Sequence, residues 1–160
     1  MRLSLAITLA VLTSCSRKPS EAAAASIPPV AAPDPGSLMA RLDLEASARD
    51  QADPATSKVL EAFRAARLSL SDPRQQAGAS MGARYCVSVA TDQHVTLRVC
   101  EFRNEAEAQS GREHSLAAFK DIAGLSVELK RSTLLAVFDS QGDAASADVA
   151  KRALGAFAAL

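Results

Sequence analysis

The stretch from Tyr85 to Glu101 constrains the fold more than any other. Tyr85, Val87, Val89 and Thr91 alternate with their neighbours, and Val95, Leu97 and Val99 do so again after Asp92-Gln93-His94. Two period-two runs split by a short polar loop read as a β-hairpin. If Thr91 and Val95 close the loop, Cys86 and Cys100 stand directly opposite each other. Opposed residues have Cα atoms about 4.5–5.5 Å apart, within disulfide range. The sequence therefore predicts a Cys86–Cys100 bond, contributing about 3 kcal/mol in the chain-entropy model. Ser88, Ala90, Thr96 and Arg98 share the cysteines' face, so the bond is expected on the less buried side. Redox chemistry would use Cys-x-x-Cys spacing, which this pair lacks. A metal site would need more ligands than the pair and His94 supply.

A second hairpin follows. Leu125, Val127 and Leu129 alternate, and Leu134, Ala136 and Phe138 alternate back after Arg131-Ser132. With residues 130 and 133 closing the turn, all six lie on one face, as a half-buried sheet requires. Helical spacing surrounds the hairpins. A first helix is expected over 37–49, with Met39, Leu42 and Ala46 on its stripe. Asp53 before Pro54 reads as the start of a second, with Val59, Leu60 and Phe63 inward. Segment 71–82, rich in Pro and Gly, reads as a loop. Asn104 and Glu107 form a capping-box-like pair for a helix over 105–122, with Leu116, Phe119 and Ile122 inward. Gly111 inside it marks close packing against a neighbour. A last helix over 145–159 presents Val149, Ala153, Ala156, Phe157 and, just beyond it, Leu160. Three of these helices carry Leu-x-x-Phe, at 60–63, 116–119 and 154–157. This is either duplication of a hairpin-plus-helix unit or coincidence in an Ala/Leu-rich chain. The expected fold is α+β, ordered helix–hairpin–helix–hairpin–helix. Its four-stranded antiparallel sheet carries helices mainly on one face.

The amino-terminal residues read MRLSLAITLAVLTSC. Arg2 is followed by an apolar run too short to span a bilayer. Leu12-Thr13-Ser14-Cys15 resembles the lipobox of bacterial lipoproteins: an aliphatic residue, two small ones, then a cysteine. The resemblance implies that residues 1–14 are a cleaved signal and that Cys15 carries diacylglycerol and an acylated amino terminus. With about 0.8 kcal/mol per buried methylene, two or three chains would hold the protein firmly. Ser16, rather than Asp, after the cysteine implies an outer membrane, with the domain facing the periplasm. Such a compartment permits disulfides. Residues 15–36 then form a lipidated cysteine and a Pro/Ala-rich tether, and 37–160 a single domain.

The rest of the sequence narrows function by exclusion. Lys plus Arg total 18 and balance 18 Asp plus Glu, so no basic excess favours nucleic acid. No P-loop, dinucleotide fingerprint or calcium loop occurs, and no cofactor or metal is implied. Gly78-Ala-Ser80-Met-Gly82 fits G-x-S-x-G, but a nucleophile elbow needs a strand before and a helix after. Here the expected strand follows instead, and nothing places His94 or His114 near Ser80. The leading expectation is a membrane-anchored envelope protein acting as a non-enzymatic interaction or structural module. Its partner would be another envelope protein or a wall component. The alternatives are a carrier of a small apolar ligand and a hydrolase using Ser80. The second sheet face, with Ala90, Phe102, Leu135 and Val137, is the expected interaction surface.

Overall fold

The computed structural model describes residues 36–160. The signal-like segment, Cys15 and the tether as far as residue 35 lie outside the described residues. The elements are α1 (Leu38–Ala46), α2 (Thr56–Ala65), β1 (Arg74–Gln76), a 3-10 turn (Ala79–Met81), β2 (Tyr85–Ala90), β3 (Val95–Glu101), α3 (Glu105–Ala118), β4 (Leu125–Lys130), β5 (Thr133–Asp139) and α4 (Ala144–Ala158).

The fold is α+β, with one antiparallel sheet in the order β1-β2-β3-β5-β4. Both hairpins have the expected registers: Cys86 faces Cys100, and Lys130 faces Thr133. The sheet has five strands rather than four. The extra strand, β1, lies in the segment expected to be a loop and pairs Arg74–Gln76 with Ser88–Cys86. As a short edge strand, Arg-Gln-Gln carries no apolar alternation to announce it. Backbone pairing holds it, together with Gln75 Nε2 donating to Leu42 O and Gln76 Nε2 to Ser88 Oγ.

Helices cover both faces rather than mainly one. Pairing of β3 with β5 puts Leu135 beside Val99 and Val137 beside Leu97. These join Tyr85, Val87 and Val89 under α2 and α4, whose Val59, Leu60, Phe63, Val149, Ala153 and Phe157 complete the main core. The opposite face carries Cys86, Cys100, Leu134, Ala136 and Val127, clustered with Phe102 and with Ala108 of α3. Both faces of β5 are therefore buried. The continuous run Leu134–Phe138 is what such a central strand requires.

α3 is capped as expected, Asn104 Oδ1 accepting from the Glu107 amide at 2.9 Å. Its inward stripe differs: Ala108, Gly111 and Ser115 are buried and Leu116 is exposed, and the helix stops at Ala118 rather than 122, leaving Ile122 beyond it and exposed. Small residues let the helix come close to the sheet. A Cβ on Gly111 would lie 2.3 Å from Phe102 Cζ. In α1, likewise, Met39 is exposed and Glu45 is buried, and Leu160, past the end of α4, is exposed.

The start of α2 also departs from expectation. Its N-cap is Ala55, which offers no side-chain acceptor. Glu101 supplies one from the end of β3, with Oε1 accepting the Thr56 amide at 2.7 Å. The same carboxylate accepts from the amides of Asp50, Gln51 and Ala52. Asp50 Oδ1 caps the Ser57 amide at 2.9 Å. From the β4–β5 turn, Ser132 Oγ accepts the Asp53 amide and Thr133 Oγ1 donates to Pro54 O. Arg131 pairs with Asp53 at the surface.

Candidate functional site

The disulfide is present between Cys86 and Cys100, with Cα atoms 4.2 Å apart. It is fully buried, not on a half-open face, because α3, Phe102 and Ala83 close over it. Burial there makes it a staple of the second core rather than a reagent.

The four residues expected to form an interaction surface are not brought together. Leu135 and Val137 belong to the main core under α2 and α4 and are fully buried. Phe102 is buried on the other side against Gly111. Only Ala90 is exposed. The expectation assumed one covered face, whereas α3 covers much of the second.

Ser80 sits in the 3-10 turn, exposed, and its hydroxyl donates to Ala77 O at 3.2 Å rather than to a histidine. β1 precedes it, but β2 rather than an α-helix follows, so the elbow arrangement is not formed around it. The amides before Ser80 are held by Glu45 of α1, whose two oxygens accept from Gly78 at 2.8 Å and Ala79 at 3.0 Å. Glu45 and Glu101 are thus two buried carboxylates turned onto backbone donors. Each fastens a loop. Their signal in the sequence was a charge on an inward-facing position.

Among the described residues no cluster of three or more His, Cys, Asp or Glu could hold a metal ion. No helix among them is long and apolar enough to cross a membrane.

Arg98 projects from the partly open end of the second face, beside Ser88 and Thr96. Its guanidinium stacks over the Phe138 ring at 5.5 Å, and Phe138 meets Phe119 edge-on at 5.9 Å. Its Nε is buried with no hydrogen-bond partner among the described residues. Burial without a counter-ion pulls its pKa below the ordinary value.

Two open grooves flank the sheet. One, of about 630 Å³, runs between the edge strand β4 and α4. Leu129, Leu154, Gly155, Phe157 and Ala158 line it, with Glu128, Lys130 and Lys151 as its charged groups. Lys130 Nζ donates to Ala158 O there. β4 ends the sheet, so among the described residues its outward backbone groups have no strand partner. The other, of about 510 Å³, lies between α1 and the segment 79–84, and Arg41, Arg84 and Arg103 line it.

Comparison of the chain with protein-family models, curated proteins and solved structures finds no match.

Proposed function

We infer that this is a lipid-anchored envelope protein whose folded part is a non-enzymatic interaction module. The lipobox-like Leu12–Cys15 and the Pro/Ala tract before the domain support the anchor. The buried disulfide fits an oxidising compartment. The observation that carries the module is the β4–α4 groove, where an apolar floor lies beside an unpaired strand edge. An extended segment can add to such an edge through main-chain hydrogen bonds while its side chains enter the groove. Interlocked Phe63, Leu97, Val137 and Phe157 between sheet and helices favour this over carriage of a small apolar ligand.

Two measurements test the reading. Mass spectrometry of native protein should find Cys15 as an acylated amino terminus, and Cys15→Ser should release the protein from membranes. A photoreactive residue at Gly155 should give discrete cross-linked species in intact cells, whereas one at exposed Lys58 should not. An unprocessed amino terminus overturns the anchor. Indistinguishable patterns at the two positions overturn the groove.

A further inference from the structure

The groove beside α1 is lined by more cations than anions. Arg41, Arg84 and Arg103 line it, and Glu45 is its sole carboxylate. Both Glu45 oxygens are taken by the Gly78 and Ala79 amides. Arg41 and Arg84 have no ion pair among the described residues, and Arg103 meets only Glu107, at 3.8 Å and largely exposed.

The same helix exposes three large apolar side chains. Leu44, a lining residue of the groove, is 73% exposed, Met39 59% and Leu38 52%. Leu38, Arg41 and Leu44 succeed one another at spacing three, which keeps neighbours within reach along a helix. Apolar and cationic groups thus share one outward surface. Water offers the exposed leucines nothing, and the described residues offer Arg41 and Arg84 no counter-ion. An anionic lipid surface satisfies both, taking phosphate in the groove and side chains at the acyl boundary.

We propose that α1 and the Arg41/Arg84/Arg103 groove dock the domain on anionic phospholipid, with Leu38 and Leu44 entering the interface. This contact is separate from the lipid at Cys15 and stands whether or not that lipid is present. Each arginine near such a surface is expected to strengthen attachment roughly fivefold, and three together roughly a hundredfold.

The chain contains no tryptophan, so Leu44→Trp in the full-length protein reports position 44 alone. Vesicles of phosphatidylglycerol bearing brominated acyl chains should quench this fluorophore, and phosphatidylcholine vesicles with the same chains should not. High salt should relieve the quenching. The R41A/R84A/R103A variant should lose it, and the R41K/R84K/R103K variant should keep it, so that lost charge is distinguished from lost folding. Equal quenching on both lipids, no quenching on phosphatidylglycerol, or full quenching in the alanine variant each overturns the proposal. Because the readout sits in α1, the result is independent of the amino-terminal mass that tests the anchor.

Discussion

The Glu101 carboxylate accepts the Thr56 amide at 2.7 Å and so caps a helix that begins 45 residues earlier in the chain. With the three amides of the α1–α2 loop it satisfies four backbone donors. Glu101→Gln keeps the shape but sets an amide group against those donors. Hydrogen bonds to a charged group are worth about 1.5–3 kcal/mol, so the variant should lose about 2 kcal/mol. Urea unfolding should show a lower midpoint at unchanged slope.

Gly111 faces the Phe102 ring. On helix propensity alone Gly111→Ala would gain about 1 kcal/mol. The new methyl has no room, and overpacking costs about 1–3 kcal/mol. The variant should therefore be less stable than the parent, and Phe102→Leu in the same chain should restore part of the loss. Thermal unfolding of the two variants checks the sign.

Replacing Cys86 and Cys100 together by serine removes the staple and leaves hydroxyls in an apolar cluster. The expected loss is about 3 kcal/mol from loop closure alone. Thiol titration of the unfolded, unreduced wild type should find neither cysteine reactive.

Arg98 loses hydration without gaining a counter-ion. Arg98→Met keeps the stem that packs on Phe138 and removes the desolvated charge. Stability should rise by about 1 kcal/mol. Unfolding midpoints of the two proteins decide it.

The acid limb of stability is set partly at the start of α4. Amides of Gly142 and Gln141 and the Ser146 hydroxyl hold Asp139 below its ordinary pKa, the Gly142 amide contributing most. The Ser146 amide does the same for Asp143. A carboxylate depressed in the folded state favours folding above its unfolded pKa. That contribution disappears as pH falls through the folded value, below about pH 4. Asp139→Asn with Asp143→Asn should flatten the stability curve in that range and leave its shape above pH 6 unchanged, as read by unfolding at a series of pH values.

Both hairpin registers were legible because period two and turn length leave one solution each. The same arithmetic placed the disulfide. What it could not supply was the relation between hairpins. Leu134–Phe138 is apolar at every position, so alternation cannot say which residues meet α4 and which meet α3. Assigning Leu135 and Val137 to an outer face followed from that ambiguity. β1 was hidden because an edge strand of Arg-Gln-Gln is held by its backbone. Small residues hid the inward side of α3, since Ala108, Gly111 and Ser115 carry little hydrophobic signal while Leu116 carries much. The cap of α2 was sought locally at Asp53, whereas the acceptor lies on another strand. Neither groove was legible, because each joins segments distant in sequence.

The fastenings of the α1–α2 loop bear on the order in which the chain can fold. Asp53 is held by Ser132, and Pro54 by Thr133, partners 79 residues later. A ribosome that has released the first helices has not yet made the groups that fix them, so the emerging amino-terminal half stays unsettled until the second hairpin follows. A nascent fragment that stops short of Ser132 and Thr133 lacks both fastenings, so the loop takes its final shape only after the second hairpin has been made.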